Sequence, residues 1–409
     1  VPFLAKSDST KRQQLLRGPF VPFFIGRTVD LAGGAMTAIV VPLAVLGASH
    51  SITDAGIVAT ATLLPTLAFM LLGGVAADRL TRRSLLVTTC LVSAGMQVGM
   101  GALLLSGHYS LLWMALFGVV IGVSSAFSGP SLRGIVPELV GNADLQRANA
   151  ALATTRSAVR VAGPMIGGIL VASVGGGWAL IVDAISSVVA AACFLLIPRG
   201  NRPSAPTAVW VSLKQGWRAF SGARWIWISS ISFAIINALN VAPVQILGAA
   251  IVAPVMGAAS WGALLSGRVL GTLLSSAALV RFQISRPLVT GRLMGSLIVL
   301  PLLGVGLIHE FWLLLAMFFA GGVGSGVLNV TYDSTLQAKV PTEAMSRVSS
   351  WDDLIAFAAI PAAQVAVGPI AALLGNERVA ILSACGIALA VLVPLAASSI
   401  RSRDLAMAS

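Results

Sequence analysis

The stretch "GGVAADRLTRRSLL" (residues 73–86) sets one aspartate and three arginines between two long apolar runs, roughly 52–76 and 84–106. Each run has about the length, ~20 residues, that a helix needs to cross the hydrocarbon core of a bilayer. The polar interval, Asp78 to Arg83, closes one such helix and opens the next. Arginines collect in this way in the loops that a membrane protein keeps on the cytoplasmic side. That rule accounts for Arg79, Arg82 and Arg83 but not for Asp78 beside them.

The same alternation runs through the whole chain. Of 409 residues, 57% are hydrophobic and 10% charged, and no soluble domain of this size hides so much apolar surface. Twelve spans are expected, at roughly 19–47, 52–76, 84–106, 109–128, 149–174, 177–197, 223–250, 255–280, 287–308, 311–330, 348–374 and 378–399. The expected fold class is therefore an all-α polytopic membrane protein. The net charge of +12 is a matter of topology. Lys6 to Arg17 precede the first span, every second connection carries arginine or lysine, with Arg281, Arg286 and Arg292 around the turn between the eighth and ninth spans, and the alternate loops carry only Arg378. Both termini are expected on the cytoplasmic side of the membrane, and nucleic acid is not an expected partner. No cleavable signal is visible, since the first apolar run is long enough to span and stay. Cys90, Cys193 and Cys385 each sit inside a span, so no disulfide framework is expected, and His50, His108 and His309 fall in external loops, which leaves a metal site without support.

Twelve spans invite a search for halves. "IVPELVGNADLQRANA" (135–150) and "KVPTEAMSRVSS" (339–350) share Val-Pro, a polar turn and an arginine at a new helix start, and "AGPMIGG" (162–168) pairs with "VGPIAALLG" (367–375). Pro137 and Pro341, Arg147 and Arg347, and Pro164 and Pro369 stand 204, 200 and 205 residues apart. The expected division is a six-helix half over 1–198, a cytoplasmic linker over 199–222 and a second half over 223–409.

Gly74, Asp78, Arg79, Arg82 and Arg83 fit G-x-x-x-D-R-x-x-R-R/K, with Thr81 in place of the usual second glycine. In that loop the pattern resembles the signature of the major facilitator superfamily. Gly163, Pro164, Gly167 and Gly168 resemble the G-P-x-x-G-G core of a motif found in the proton-coupled exporters of that family. Their physical use is to remove bulk where helices approach and to bend the fifth span. "GRTVDLAGG" (26–34) resembles the opening of a bacterial twelve-helix branch of drug and siderophore exporters, with Asp30 where serine is usual and Gly34 where the acid is usual. The resemblance implies two pseudo-symmetric six-helix halves. It also implies a cytoplasmic gate in which Asp78 accepts from the amides opening the eleventh helix and Arg79 or Arg82 meets Asp352 or Asp353.

Asp30 lies about 16 Å into the first span at ~1.5 Å per residue, where a charge costs at least ~3 kcal/mol unless partnered. Arg27 one turn away and Arg160 in the fifth span are its candidate partners, with Arg156 and Arg268 adding cations at membrane depth. Asp30 is read either as a site of proton exchange or substrate contact, or as half of a buried ion pair that fixes packing. Asn237, Asn240 and Gln245 in the seventh span are read as substrate contacts or as interhelical bonds. Asp183 is expected near the outer end of its helix in a hydrated structural role, and Asp333 as a gate partner.

No Walker-type loop is present, and neither H-E-x-x-H nor G-x-S-x-G occurs, so neither an ATPase nor an intramembrane enzyme is expected. The expectation is a monomeric secondary transporter without cofactor, exporting amphiphilic small molecules on the proton gradient. An importer or lipid flippase on the same fold is the alternative.

Overall fold

A computed structural model describes residues 18–77, 81–140, 144–198, 217–218, 220–222, 224–279, 284, 286–340 and 342–396. Every regular element among them is helical. The helices are α1 (Phe20–Ser49), α2 (Ile52–Ala77), α3 (Arg82–Leu105), α4 (Leu111–Leu139), α5 (145–174), α6 (176–195), α7 (Arg224–Met256), α8 (Ala258–Ala278), α9 (Pro287–Leu307), α10 (Phe311–Lys339), α11 (342–374) and α12 (Asn376–Leu392). Ten helices among the described residues are long and apolar enough to cross a membrane. One of these, Leu145–Leu195, is two spans joined at Gly175. The twelfth span, α8, has 21 residues but carries Arg268 and several serines. Large apolar side chains such as Leu373 (84% exposed) and Trp312 (71%) point outward, which suits lipid and not water.

Several helices run past the expected span ends. Helix α4 continues to Leu139, α10 to Lys339, and α5 begins at Leu145. Hydropathy marks only the stretch inside hydrocarbon, whereas backbone hydrogen bonding carries the helix on into the polar interface. Thr81, which departs from the family pattern, has a local use. Its backbone is extended, and its hydroxyl accepts from the Ser84 amide at the start of α3 (3.4 Å).

Consecutive helices reverse at single glycines. Gly175, Gly257 and Gly375 have φ of +81°, +86° and +88°, a region closed to most side chains. Gly175 and Gly375 stand 200 residues apart, as do the first residues of α4 and α10, Leu111 and Phe311. The two halves therefore repeat in backbone as well as in sequence.

Packing distinguishes the two ends of the bundle. One hydrophobic core joins both halves at the end remote from the arginine-rich connections, with Met36, Val40, Val58, Trp261 and Val367 in a single cluster. Toward the basic end the core divides. Phe23, Leu86, Ile135 and Phe194 pack within the first half, and Trp225, Leu288, Tyr332 and Val348 within the second. Cross-half contacts follow this division, with α5 against α8 and α2 against α11. A Cβ at Gly168 would stand 2.5 Å from the Ala258 carbonyl oxygen, and one at Gly262 would collide with the Pro164 carbonyl. Ser266 accepts from the Met165 amide (3.0 Å), and Thr60 donates to the Pro361 carbonyl (3.1 Å). At the same end Tyr109 donates to Asp54 (2.8 Å), and burial followed by the Asp54 carboxylate holds the phenol above its ordinary pKa. The bundle is closed at the end opposite the basic loops.

Gly168→Leu is expected to prevent this closure at near-normal expression and to lower transport by at least about ten-fold, because packed backbones cannot absorb four extra carbons. A Thr60→Cys/Gln364→Cys pair, whose native side chains lie 3.4 Å apart, should crosslink readily in the parent and poorly with Gly168→Leu. Equal crosslinking in both would show that the seam tolerates bulk.

Candidate functional site

Where the cores divide, a cavity of ≈ 430 Å³ lies between the halves, within the range of drug-sized ligand sites. Helix α7 supplies Phe233, Ile236, Asn237, Asn240 and Gln245, and α8 supplies Trp261, Leu265, Arg268 and Thr272. Ala35, Ala38 and Ile39 of α1 and Pro164 of α5 complete the wall from the first half. Beyond Ala242, α7 passes through a π-helical turn over Pro243–Gly248, where the proline withholds its amide, and Gln245 lines the cavity from this turn. Trp261 is held edge-on to Phe318, with ring centroids 5.7 Å apart.

A second cavity, ≈ 350 Å³, opens nearer the basic end between α1, α4 and α5, and both Arg27 and Arg156 line it. Arg27 is ion-paired with Asp30 along α1, both half-buried, and the Cys90 thiol lies 3.9 Å from the other carboxylate oxygen. Arg156 and Arg160 are exposed and make no ion pair among the described residues. Arg156, Arg160 and Pro164 recur at four-residue spacing, so they share one face of α5. That face runs from the second cavity to the central one, with Arg160 between.

Inside each half, buried polar groups are tied together. Asp183, 1% exposed, accepts from Thr37 of α1, from the Gln97 amide of α3 (2.5 Å) and from Ser186 (3.3 Å). Gly33 makes room for it, since a Cβ there would strike the carboxylate. In the second half Arg292, 3% exposed, donates to Ser232 (2.9 Å), Ser229 (3.2 Å) and the Val391 carbonyl (3.3 Å). Asp352 accepts from Ser230 and from the Tyr332 hydroxyl (3.0 Å).

The sequence matches the Major Facilitator Superfamily profile over residues 23–363. The chain belongs to the Major Facilitator Superfamily. It is 30% identical over 165 residues to the multidrug efflux pump Tap of Mycolicibacterium fortuitum, covering 39% of this chain and 40% of that one. It is 28% identical over 190 residues to the enterobactin exporter EntS of Salmonella paratyphi A, covering 46% and 45%. The chain thus spans less than half the length of each curated relative it matches. The fold also matches a bacterial homologue of the iron transporter ferroportin, solved in an inward-facing state, with a TM-score of 0.73 and 17% identity over 93% of this chain and 98% of that one. The chain is thus a multi-pass membrane protein of this superfamily.

Within the superfamily fold the expected site residues separate. Arg268, Asn237, Asn240 and Gln245 share the central cavity, whereas Asp30, Arg27 and Arg156 lie toward the basic end. Asp30 pairs with Arg27 and not with Arg160. Gly163 and Gly167 seat α5 on Ala35 and Met36 of α1, while Gly168 faces α8 across the halves. Of the gate residues expected from the family, two have a described partner within their own half. Arg82 pairs with Glu138 of its own half (2.5 Å), Asp352 is held inside the second half, and Asp353 is exposed. Asp78 and Arg79 lie outside the described residues, and Gly74 falls near the end of α2.

Two placements correct the sequence reading. Asp183 is not hydrated at a helix end but enclosed by three helices, because α1 and α3 present a hydroxyl and an amide to it. Arg292, counted among loop arginines, is the buried centre of the second half. Its signal in the sequence was the serine pair Ser229 and Ser232 in α7, a polar notch in an otherwise apolar face. Asp183→Leu is expected to destabilise the detergent-purified protein by about 1–3 kcal/mol, since it leaves the Gln97 amide unpaired in the interior and the Thr37 hydroxyl with only the Gly33 carbonyl of its own helix. Asp183→Asn should cost less. A Leu variant that melts with the parent would show that this network does not hold the half together.

Proposed function

We propose that this transporter is a proton-coupled exporter of amphiphilic small molecules, working as a monomer by alternating access in a bacterial cytoplasmic membrane with both ends of the chain inside. The observation that carries this reading is the central cavity. It has largely apolar walls, lies between two halves whose cores are separate on one side, and is sealed on the other side by a seam of small residues. If the basic end faces the cytoplasm, as its arginines favour, the cavity takes its load from the cytoplasmic side. That Tap is a multidrug efflux pump and EntS an enterobactin exporter supports export as the direction.

Coupling is assigned to Asp30. As a carboxylate it neutralises Arg27. Protonation removes that partner and leaves a cation facing the second cavity, which changes the relative free energy of the two end states. No cofactor is required for such a cycle, and the gradient supplies the work. In the opposite state the basic ends close, with Asp78, Arg79, Arg82 and Arg83 on one side and Asp353 on the other, so that Arg82 exchanges its Glu138 partner.

The test uses protein reconstituted in liposomes with an imposed pH gradient and a panel of fluorescent amphiphilic drugs. Gradient-driven accumulation is expected with the parent. Asp30→Asn should abolish it while leaving downhill exchange within about two-fold, because the cavity itself is untouched. Active, pH-dependent transport by the Asn variant would remove Asp30 from coupling. Accumulation that requires the opposite gradient polarity would make the protein an importer.

A further inference from the structure

We propose that the central cavity recognises an anionic amphiphile, with Arg268 holding the anionic group and the Asn240 side-chain oxygen receiving a hydroxyl or N–H from the same molecule. The inference rests on the cavity being the transport site and names what that site selects.

The argument begins with the hydrogen-bonding groups on the wall. Three of them are already engaged with protein. Asn237 donates its amide to the Ala356 carbonyl (3.0 Å), Thr272 donates to the Gly322 carbonyl (3.0 Å), and Ser325 donates to the Gly321 carbonyl (3.0 Å). Arg268 is different. It sits on α8 about 16 Å from the Gly257 turn, near mid-membrane, and its guanidinium makes no hydrogen bond or ion pair among the described residues. None of the residues lining the cavity is acidic. A cation at this depth without a partner is costly, and such residues mark substrate paths. Its five donors form a planar fork that fits a carboxylate, sulfonate or phosphate oxygen pair.

Asn240 supplies an independent observation. It is 7% exposed, lines the same cavity, and its side-chain oxygen is buried without a partner among the described residues. Buried polar atoms are rarely left so, and an unfilled acceptor turned to a ligand cavity fits a donor on the ligand. Phe233, Trp261, Ile298 and Leu328 give the same cavity large apolar surfaces. The complementary molecule has an aromatic or aliphatic body, one anionic end and a neighbouring hydroxyl or N–H. The face of α5 bearing Arg156 and Arg160 leads to the cavity from the basic end, so an anion meets favourable charge along the approach.

A readout independent of transport tests this. A cysteine is placed in the cavity wall as Ser325→Cys, and its modification by sulfonatoethyl methanethiosulfonate, an anion, is timed against trimethylammonioethyl methanethiosulfonate, a cation. The rate of the parent, with its three native cysteines, is subtracted. Relative to a free thiol, the anionic reagent should be favoured by at least about ten-fold. Arg268→Gln should collapse that preference and Arg268→Lys should keep most of it. Naphthaleneacetate should protect the cysteine at concentrations about ten-fold below those needed by its neutral isostere naphthaleneacetamide, and this difference should also vanish in Arg268→Gln. The proposal fails if the cationic reagent is preferred, if the preference survives Arg268→Gln, if acid and amide protect equally or not at all, or if the cysteine reacts with neither reagent. Because no gradient is used, a failed export assay beside an intact anion preference would overturn the direction of transport and leave the substrate class standing.

Discussion

Close approach of backbones at the seam between α5 and α8, and between α2 and α11, is the constraint on which the rest of the structure depends. Where Gly168 meets Ala258 and Gly262 there is no side chain to interlock, and few hydrogen bonds cross. Dispersion across such a face is strong in sum but short in range, so a small separation loses it without stranding a charge. The halves themselves are held by groups that cannot be parted so easily. Asp183 with Thr37 and Gln97 joins α6 to α1 and α3, and Arg292 with Ser229, Ser232 and the Val391 carbonyl joins α9 to α7 and α12. Pulling either apart leaves buried polar atoms unmet, at about 1–3 kcal/mol each. Rigid halves and a parting seam follow from where the polar groups are and where they are not.

The repeat is faithful in backbone and unfaithful in chemistry. Turn glycines and helix starts recur at 200 residues, yet the carboxylate at the centre of the first half has its functional counterpart in an arginine in the second. The cavity shows the same asymmetry, taking its polar groups from α7, α8 and α10 while α1 contributes alanines and an isoleucine. One half supplies the polar side chains of the central cavity, and the other carries the Arg27–Asp30 pair beside its own cavity.

How much of this was legible in the sequence can be judged residue by residue. The spans and the basic loops were legible, because each depends on local composition, whereas for Asp30 the sequence left Arg27 and Arg160 both open and the structure pairs it with Arg27. Gly168 was legible as a packing glycine, but its partner on α8 was not. Asp183 and Arg292 were misplaced for one reason: hydropathy reports depth along a helix and says nothing of which neighbour a face meets. The family resemblance implied Asp352 or Asp353 as a gate partner, whereas here Ser230 and Tyr332 from two other helices bond Asp352. Arg268 was recognised as a cation at depth, but only three-dimensional packing shows that no acid among the described residues lines its cavity.

The one-residue turn at Gly257 bears on how the protein is made. Helix α8 is not among the ten helices apolar enough to span unaided, since Arg268 and its serines dilute it. Helix α7, with mean hydropathy 1.8 over its best window, is. A turn of a single left-handed glycine leaves no slack for α7 to enter the bilayer while α8 waits outside. The two must leave the insertion machinery as a hairpin, the first span carrying the second. The arginine that makes α8 a poor membrane segment is thereby paid for at synthesis by its neighbour and kept for use in the cavity.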